Sequence, residues 1–335
     1  MLQLLAVLIL SCRRKMERPF PLILLIATLV MAMPLSFGVE ENQLSYNYYM
    51  FSCPNLETVI QKELLRVFLL NPTAPAAFLR LMFHDCQVQG CDASILLDSE
   101  TSEMASSRNF GIRMREAISN IKSTLEEECP GQVSCADIIV LVAKESVSYT
   151  GGPQIQIPLG RKDTKTTPSF KEADAKLPPP SIPVDEFISL FKGMSIEESV
   201  SILGAHTLGV GHCLNIVGRL YDPTQRNLMD LEFEASLKIV CPAEIPLTNL
   251  TPVPNDLTPV IFDNHYYRDI ILGRGLFGID SNISRDPRTA PYVARFAVDQ
   301  NYFFEVFASA FVKLSATDVL TDEQGEVRRQ CNQLN

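Results

Sequence analysis

Residues 80–98 read RLMFHDCQVQGCDASILLD, with an arginine, a histidine and an aspartate set among apolar residues and two cysteines. Apolar residues at helical spacing in TAPAAFLRLMFHDC predict a helix over 73–86. On that helix Arg80 and His84 are four residues apart and share a face. An imidazole exchanges protons near neutral pH, and a neighbouring guanidinium stabilises developing negative charge. The pair indicates proton-transfer chemistry on one small ligand; a surface arginine beside a core histidine is the alternative interpretation.

The loop after this helix is rich in oxygen donors. Asp85, Gly90, Asp92 and Ser94 follow one another closely, and the apolar run ends at Asp98. Carboxylates, hydroxyls and backbone carbonyls are the ligands of calcium, although the spacing is not that of an EF-hand. The alternative is a polar turn closed by a bridge between Cys86 and Cys91.

The rest of the chain also has helical periodicity. Helices are predicted over 56–70, 135–149 and 301–315, while strand signals are few. Ser195 and Glu198 form a capping box at a helix start, and Gly273 can end another helix. Proline-rich stretches at 176–183 and 245–259 are predicted linkers. We therefore predict an all-α protein of two helical lobes joined near residues 150–185.

Composition narrows the function classes. The 335 residues carry a net charge of −10 and are 46% hydrophobic, which is enough for a sizeable core. Nucleic-acid phosphates require a basic surface, which we do not find in this sequence. We therefore expect a small or neutral partner.

The first 38 residues differ from the remainder. Two apolar runs flank the basic cluster RRKMER, which predicts a signal peptide over 1–38, with 1–15 as an upstream-start extension, and a mature domain over 39–335. A membrane anchor is the alternative. Of nine cysteines, Cys12 would leave with the signal, and the remaining eight suit disulfides whose pairing the sequence leaves open. Sequons at Asn249 and Asn282 agree with export.

A second histidine, His206, lies in SILGAHTLGVGHC between glycines that let a flat group approach the backbone. The motifs LRLMFHDC, GCDASILLD, VSCADII, PLGRKD, LGAHTLGVGHC and TPVIFDNHYY follow one another between about residue 44 and the C-terminus. Together they resemble the secreted plant haem peroxidases of class III. The resemblance covers nearly all of the predicted mature chain.

This resemblance implies a two-lobed helical fold that holds one haem b. His206 would be the axial iron ligand, with Asp280 on its other ring nitrogen. Arg80, Phe83 and His84 match the distal side, where His84 would move a proton of hydrogen peroxide to its outer oxygen and Arg80 would stabilise the charge. Two phenols, each donating one electron, would then return the haem to its resting state.

The resemblance also implies two calcium ions, four disulfides and a proline, Pro178, at the substrate entrance. The distal calcium positions are Asp85, Val88 (carbonyl), Gly90 (carbonyl), Asp92 and Ser94. The proximal positions are Thr207, Asp256, Thr258, Ile261 (carbonyl) and Asp263, where Asp256 comes one position later than the family's acidic ligand and Asn255 stands in its place. The implied disulfides join Cys53 to Cys129, Cys86 to Cys91, Cys135 to Cys331, and Cys213 to Cys241.

Two features depart from the family pattern. Gln87 stands where phenylalanine is usual, and the loop over 102–116 is shorter than the family loop that holds the distal histidine. Glu103 and Asn109 are the candidates for that task. The chain has no tryptophan, which excludes a surface tryptophan as an oxidation site.

Three functions remain in competition. The main prediction is a secreted, monomeric peroxidase of the cell wall or vacuole, acting on hydrogen peroxide and small phenols, without a membrane partner after signal removal. The second is a secreted calcium- and haem-binding wall protein with little turnover. The third is a zinc site built from His84, Cys86, Cys91 and either His206 or His212, which bridged cysteines would oppose.

Overall fold

The structure is a computed structural model that describes residues 44–167, 169–222, 224, 229–242 and 251–335. The predicted signal peptide over 1–38 and the sequon at Asn249 lie outside these ranges. Within them, none of the helices is both long enough and apolar enough to cross a bilayer.

The described part of the chain is almost entirely helical, which confirms the predicted class. Its α-helices are α1 Leu56–Leu70, α2 Ala74–Gln87, α3 Arg115–Glu128, α4 Cys135–Tyr149, α5 Phe170–Lys176, α6 Val184–Phe187, α7 Ile196–Leu203, α8 Cys213–Tyr221, α9 Leu231–Val240, α10 His265–Ile271, α11 Gly278–Ile283, α12 Ala290–Val298 and α13 Gln300–Ser315. Short 3-10 turns lie at Ser94–Leu96, Glu103–Ala105, Ser107–Asn109, Gly204–Thr207 and Asp322–Gln324.

Helix α4 lies at the centre of the core. Twelve of its residues are buried, among them seven consecutive residues from Ala136 to Val142, and a helix that is apolar around most of its circumference is stable only when surrounded. Helix α2 packs against α4 and carries Arg80 and His84. Pro75 stands in the first turn of α2, where its missing N–H costs no helical hydrogen bond. Arg80 and His84 therefore lie on a rigid, deeply packed helix.

The helix that precedes His206 does not extend to it. The capping box of Ser195 and Glu198 is confirmed, but α7 ends at Leu203 and the chain continues as the 3-10 turn Gly204–Thr207. A Cβ atom at Gly204 would lie 2.5 Å from the Phe303 ring, so the close packing requires glycine there. The tighter turn sets the direction of the His206 side chain.

A small sheet interrupts the helical pattern. Strand β1, Val210–His212, pairs antiparallel with β2, Pro252–Pro254, with Gly211 opposite Val253. The prediction of a linker over 245–259 is therefore wrong for 252–254. Each strand has three residues, too few for a period-two pattern to be recognised.

Four disulfides join the described helices and loops, with the pairing that the resemblance implied. They are Cys53–Cys129, Cys86–Cys91, Cys135–Cys331 and Cys213–Cys241. Because the sulfurs of Cys86 and Cys91 are bonded to each other, neither is a thiolate, and the zinc interpretation is wrong.

Arg161, in the PLGRKD motif, forms a buried ion pair with Asp137 of α4. Arg161 Nη1 lies 2.7 Å from Asp137 Oδ1, and both side chains are fully buried. Arg161 Nε also donates to the carbonyl of Ser315, at 2.7 Å, so the pair connects α4 to the end of α13. The Tyr49 hydroxyl and the Gly160 N–H donate to the second oxygen of Asp137.

Candidate active site

His84 is held by Asn109. The distance from His84 Nδ1 to Asn109 Oδ1 is 2.7 Å, and Asn109 Nδ2 donates to the carbonyl of Glu103 at 2.8 Å. The second bond fixes the amide so that its oxygen faces the imidazole. Because an amide oxygen only accepts, Nδ1 carries the proton and Nε2 keeps its lone pair. The short loop thus brings both candidate residues to the site, Asn109 by its side chain and Glu103 by its backbone.

Arg80 lies beside that lone pair. Its Nε is 3.1 Å from His84 Nε2, as expected for residues four apart on one helical face. Its Nη2 donates to the carbonyls of Phe110, at 3.0 Å, and Arg108, at 3.3 Å. These backbone contacts fix the guanidinium, and no sequence pattern pointed to them.

Burial and positive charge act together on His84. Desolvation and the neighbouring Arg80 lower the pKa of His84 to about 3, against a smaller opposing contribution from Asn109. Desolvation, followed by the charge of Arg113, lowers the pKa of Arg80 to about 10. At neutral pH the imidazole is therefore uncharged and the guanidinium charged, which is the combination a proton acceptor and a charge stabiliser require.

His206 has a carboxylate on its ring nitrogen. His206 Nδ1 lies 3.0 Å from Asp280 Oδ1, which also accepts from the Tyr266 hydroxyl at 2.9 Å. The other oxygen of Asp280 accepts from the Phe277 N–H at 2.8 Å. Asp280 is buried while His206 is about one third exposed, so the imidazole reaches out of the core, and its Nε2 has no partner among the described residues. No sequence pattern pointed to the role of Tyr266.

The carboxylates of Asp85, Asp92 and Glu103 repel one another beside the end of α2. Burial and the charges of Asp92 and Glu103 raise the pKa of Asp85 well above its usual range, and burial raises the pKa of Glu103 to about 8. Asp85 Oδ1 and Glu103 Oε2 are buried, and neither has a hydrogen-bond partner in the described part of the chain. The Ser94 hydroxyl donates to Glu103 at 2.8 Å. A cation would relieve both the repulsion and the unpaired oxygens, so the residues fit calcium.

The backbone of this loop requires Gly90. Its φ is +107°, and a Cβ there would lie 2.0 Å from the carbonyl oxygen of Asp318. Val88, whose carbonyl is the other expected backbone ligand, is fully buried. The described ranges hold no cluster of three or more acidic, histidine or cysteine side chains around one metal position. An ion here would therefore depend on hydroxyl and carbonyl oxygens as well as on carboxylates.

A second group of oxygens surrounds Thr207. The Thr207 hydroxyl is 2.7 Å from Asp256 Oδ2 and 3.1 Å from Asp263 Oδ1, and the Thr258 hydroxyl is 3.1 Å from the same Asp263 oxygen. Asn255 instead donates its amide to the carbonyl of Leu208, at 3.1 Å. The structure thus brings the Asp256 carboxylate to this group, whereas the Asn255 amide nitrogen bonds the backbone. Ile261 closes the turn by donating its N–H to the carbonyl of Thr258, at 2.9 Å.

The remaining expected residues lie around these groups. Phe83 contacts His84 edge to face with ring centroids 5.7 Å apart. Pro178 is half-buried, and its neighbour Pro180 accepts a hydrogen bond from the N–H of Ile279 on α11. Gln87 lines a separate cavity of about 340 Å³. It therefore need not disturb the pair of Arg80 and His84.

His212 was assigned only to the zinc alternative, yet it lies near the distal pair. A Cβ at Gly111 would be 3.3 Å from Arg80 Nη1 and 3.6 Å from His212 Cε1. Desolvation and the charges of Arg80 and Arg113 lower the pKa of His212. The strand that follows the His206 turn is thus close to the arginine of α2.

The donor set suits a haem. One imidazole has Nδ1 committed to a carboxylate and a free Nε2, which is what an axial iron ligand requires. Another imidazole, uncharged and beside an arginine, supplies a proton acceptor. A disulfide-linked helical fold with these two centres defines the haem peroxidase class.

Comparison with known proteins agrees with this class. A family model described as Peroxidase matches residues 59–299. Peroxidase 29 of Arabidopsis thaliana is 53% identical over 302 residues, which cover 87% of this chain and 89% of the relative. Peroxidase 21 of the same plant is 39% identical, over 89% of this chain and 93% of the relative, and Peroxidase 5 of Vitis vinifera is 37% identical, over 90% and 94%.

The chain belongs to the peroxidase family, among the plant peroxidases of class III. It is an oxidoreductase of the peroxidase type, and family membership implies a haem and the use of hydrogen peroxide with a reducing donor. The comparisons support this activity and not the alternative of a wall protein with little turnover.

Proposed function

We propose that the protein binds one haem b through His206 Nε2 and reduces hydrogen peroxide to water at Arg80 and His84, with phenols as electron donors. One observation carries the proposal: both imidazoles have Nδ1 committed, to Asn109 and to Asp280, so both Nε2 atoms are unprotonated. His84 Nε2 faces Arg80, and His206 Nε2 has no partner among the described residues. The haem, when bound, supplies the iron that takes up the oxidising equivalents of peroxide.

His84 moves one proton. Its Nε2 accepts the proton that hydrogen peroxide loses, and the same nitrogen returns it to the outer oxygen, which leaves as water. Arg80, whose Nε is 3.1 Å from this nitrogen, stabilises the negative charge on the departing oxygen. Asp280 accepts from His206 Nδ1 and makes that imidazole a stronger electron donor.

Calcium would stabilise both sides of the site. The distal ion would use Asp85, Val88, Gly90, Asp92 and Ser94, and the proximal ion would use Thr207, Asp256, Thr258, Ile261 and Asp263. Asp85 follows His84 directly and Thr207 follows His206 directly, so each ion would fix the backbone next to a histidine.

The remaining proposals concern location and substrate access. The signal peptide over 1–38 would direct the mature domain over 39–335 out of the cell, to the wall or to the vacuole, where it acts as a monomer. The confirmed disulfides support an oxidising compartment. Pro178 would border the entrance for small phenols.

An absorption spectrum tests the activity directly. The purified protein should show a Soret band that shifts when hydrogen peroxide is added and returns when a phenol follows. A protein without a Soret band, or with a band that peroxide does not shift, would contradict the proposal.

Asn109→Val should slow the reaction with peroxide by ~10 to 100-fold, the usual effect of losing such an orienting partner. The hydrogen bond that His84 donates to Asn109 raises the pKa of His84, so its loss should lower that pKa further. The rate of reaction with peroxide falls at the pH where His84 becomes protonated. The acid limb of the pH–rate profile should therefore move to lower pH. Stopped-flow rates measured against pH check both effects.

Asn120→Val is the matched control, because Asn120 is exposed on α3 and its side chain makes no contact with this site. It should leave the rate and the acid limb unchanged. If both variants keep the wild-type profile, another group orients His84.

Asp256→Ala should lower the calcium content from two ions per chain to one, because Asp256 joins Thr207 and Asp263 in the proximal group. Asn255→Ala should retain both ions, since the Asn255 amide bonds the backbone instead. Elemental analysis of the purified variants measures the ratio. Equal contents in the two variants would remove Asp256 from the site.

A further inference from the structure

A continuous row of rings runs from His206 to the surface at Tyr302, and we name it the aromatic relay. Tyr266 lies 5.7 Å from His206 and 5.0 Å from Tyr267, measured between ring centroids. Phe296 lies 5.1 Å from Tyr267 and 5.9 Å from Tyr302. Every step is within the range of direct contact between aromatic rings.

The inner rings of the aromatic relay cannot meet a donor. Tyr266, Tyr267 and Phe296 are each at most 1% exposed. Tyr302, in the first turns of α13, is only half-buried, so it is the member beyond His206 at which a molecule in solution can touch the row. The aromatic relay therefore joins the axial histidine to one solvent-accessible phenol.

Tyr302 has a proton acceptor in place. Its hydroxyl donates to Glu197 Oε1 at 2.6 Å, across 105 positions of sequence. A phenol that loses an electron becomes a strong acid, so a carboxylate at this distance makes the loss easier by taking the proton. The hydrogen bond to Glu197 also raises the pKa of Tyr302, which keeps the resting phenol protonated.

Arg295 makes the oxidation of Tyr302 harder. Its guanidinium carbon lies 3.3 Å from the centroid of the Tyr302 ring. A cation over the ring face opposes the removal of an electron and disfavours a positively charged ring. Oxidation at Tyr302 therefore depends on moving the proton to Glu197, which leaves the ring neutral.

We propose that Tyr302 is a second oxidation site, at which the enzyme oxidises phenolic donors too bulky to enter beside the haem. The inference rests on the proposed function, which supplies the oxidising equivalent. Tyr302 loses one electron through the aromatic relay to the peroxide-oxidised haem, its O–H bond breaks, and the proton passes to Glu197. The donor then gives one electron to Tyr302 and its own proton to water, and the proton on Glu197 returns to the Tyr302 oxygen.

Tyr149 provides a matched comparison. It is 53% exposed and its ring lies 4.5 Å from that of Phe68, which in turn contacts Phe78 on α2. It thus has surface access and aromatic neighbours, but its hydroxyl has no carboxylate partner among the described residues. A role that needs only an exposed, stacked tyrosine would be shared by Tyr149, whereas a role that needs the proton acceptor belongs to Tyr302.

The first experiment compares two substrates in the holoenzyme: a free phenol and the same phenol coupled to dextran. Tyr302→Phe should lose most of the rate with the coupled phenol and keep the rate with the free phenol. Tyr149→Phe should keep both. Undiminished oxidation of the coupled phenol by Tyr302→Phe would overturn the proposal. Oxidation of the free phenol by the unchanged enzyme tests the proposed function separately.

A second readout does not depend on turnover. Peroxide is added without a donor but with a nitroso spin trap, and the modified peptide is identified by mass spectrometry. The adduct should lie on Tyr302, decrease in Glu197→Gln and increase in Arg295→Gln, because these variants remove the proton acceptor and the opposing cation. An adduct on Tyr149, or a yield that ignores both substitutions, would contradict the assignment.

Discussion

His84→Ala should lower the rate constant for reaction with hydrogen peroxide by ~10² to 10⁴, the usual contribution of a general base. The imidazole is buried and uncharged, with Nε2 facing Arg80, and alanine leaves no group that could accept the proton at this position. Stopped-flow absorbance at the Soret band measures the rate constant. The haem content should stay at one per chain, because His206 is unchanged.

Arg80→Leu should slow the same step, since the guanidinium is 3.1 Å from the reacting nitrogen. Arg66→Leu is the control. Arg66 is exposed on α1, where it pairs with Glu63 at 2.8 Å, so the rate should not change. A wild-type rate in His84→Ala would show that another group accepts the proton.

Asp137→Ala should destabilise the fold by about 3–5 kcal/mol, the usual cost of removing one partner of a buried ion pair. Arg161 would keep its charge in a site without solvent, and the Tyr49 hydroxyl would lose its acceptor. Unfolding in guanidinium chloride, monitored by circular dichroism with the disulfides intact, measures the change in the free energy of unfolding.

Asp98→Ala is the matched control for this change. Asp98 also pairs with an arginine, Arg115, at 2.6 Å, but 59% of its side chain is exposed. Solvent screens such a pair, so the expected loss is about 0–1 kcal/mol. Similar losses of unfolding free energy in the two variants would mean that burial does not set the strength of the ion pair between Arg161 and Asp137.

Much of the fold follows from local sequence. Helices α1 and α4 begin and end where periodicity placed them, because an apolar stripe at helical spacing needs no distant residue to be recognised. Arg80 and His84 are neighbours for the same reason, since four residues on a helix fix their geometry. The disulfide pairing came from the family resemblance, because eight cysteines alone leave it open.

The sequence left other contacts open because they join segments that are distant along the chain. Asn109 reaches His84 across 25 positions, and the length of the loop alone did not show whether the amide would arrive. Asp256 meets Thr207 across 49 positions, at a point where Asn255 had an equal claim from the sequence. In each case the tertiary placement of a loop or short turn sets the distance within which a hydrogen bond forms.

What the sequence by itself determined was the helical class, the residues of the α2 pair and the chemistry they could perform. Only the tertiary structure decided which acceptor holds Nδ1 of His84 and of His206, which acidic residue joins the proximal group, and that Tyr302 lies beside Glu197. The physical reason is that periodicity is a property of neighbouring residues, whereas a hydrogen bond between distant ones exists only after the chain has packed.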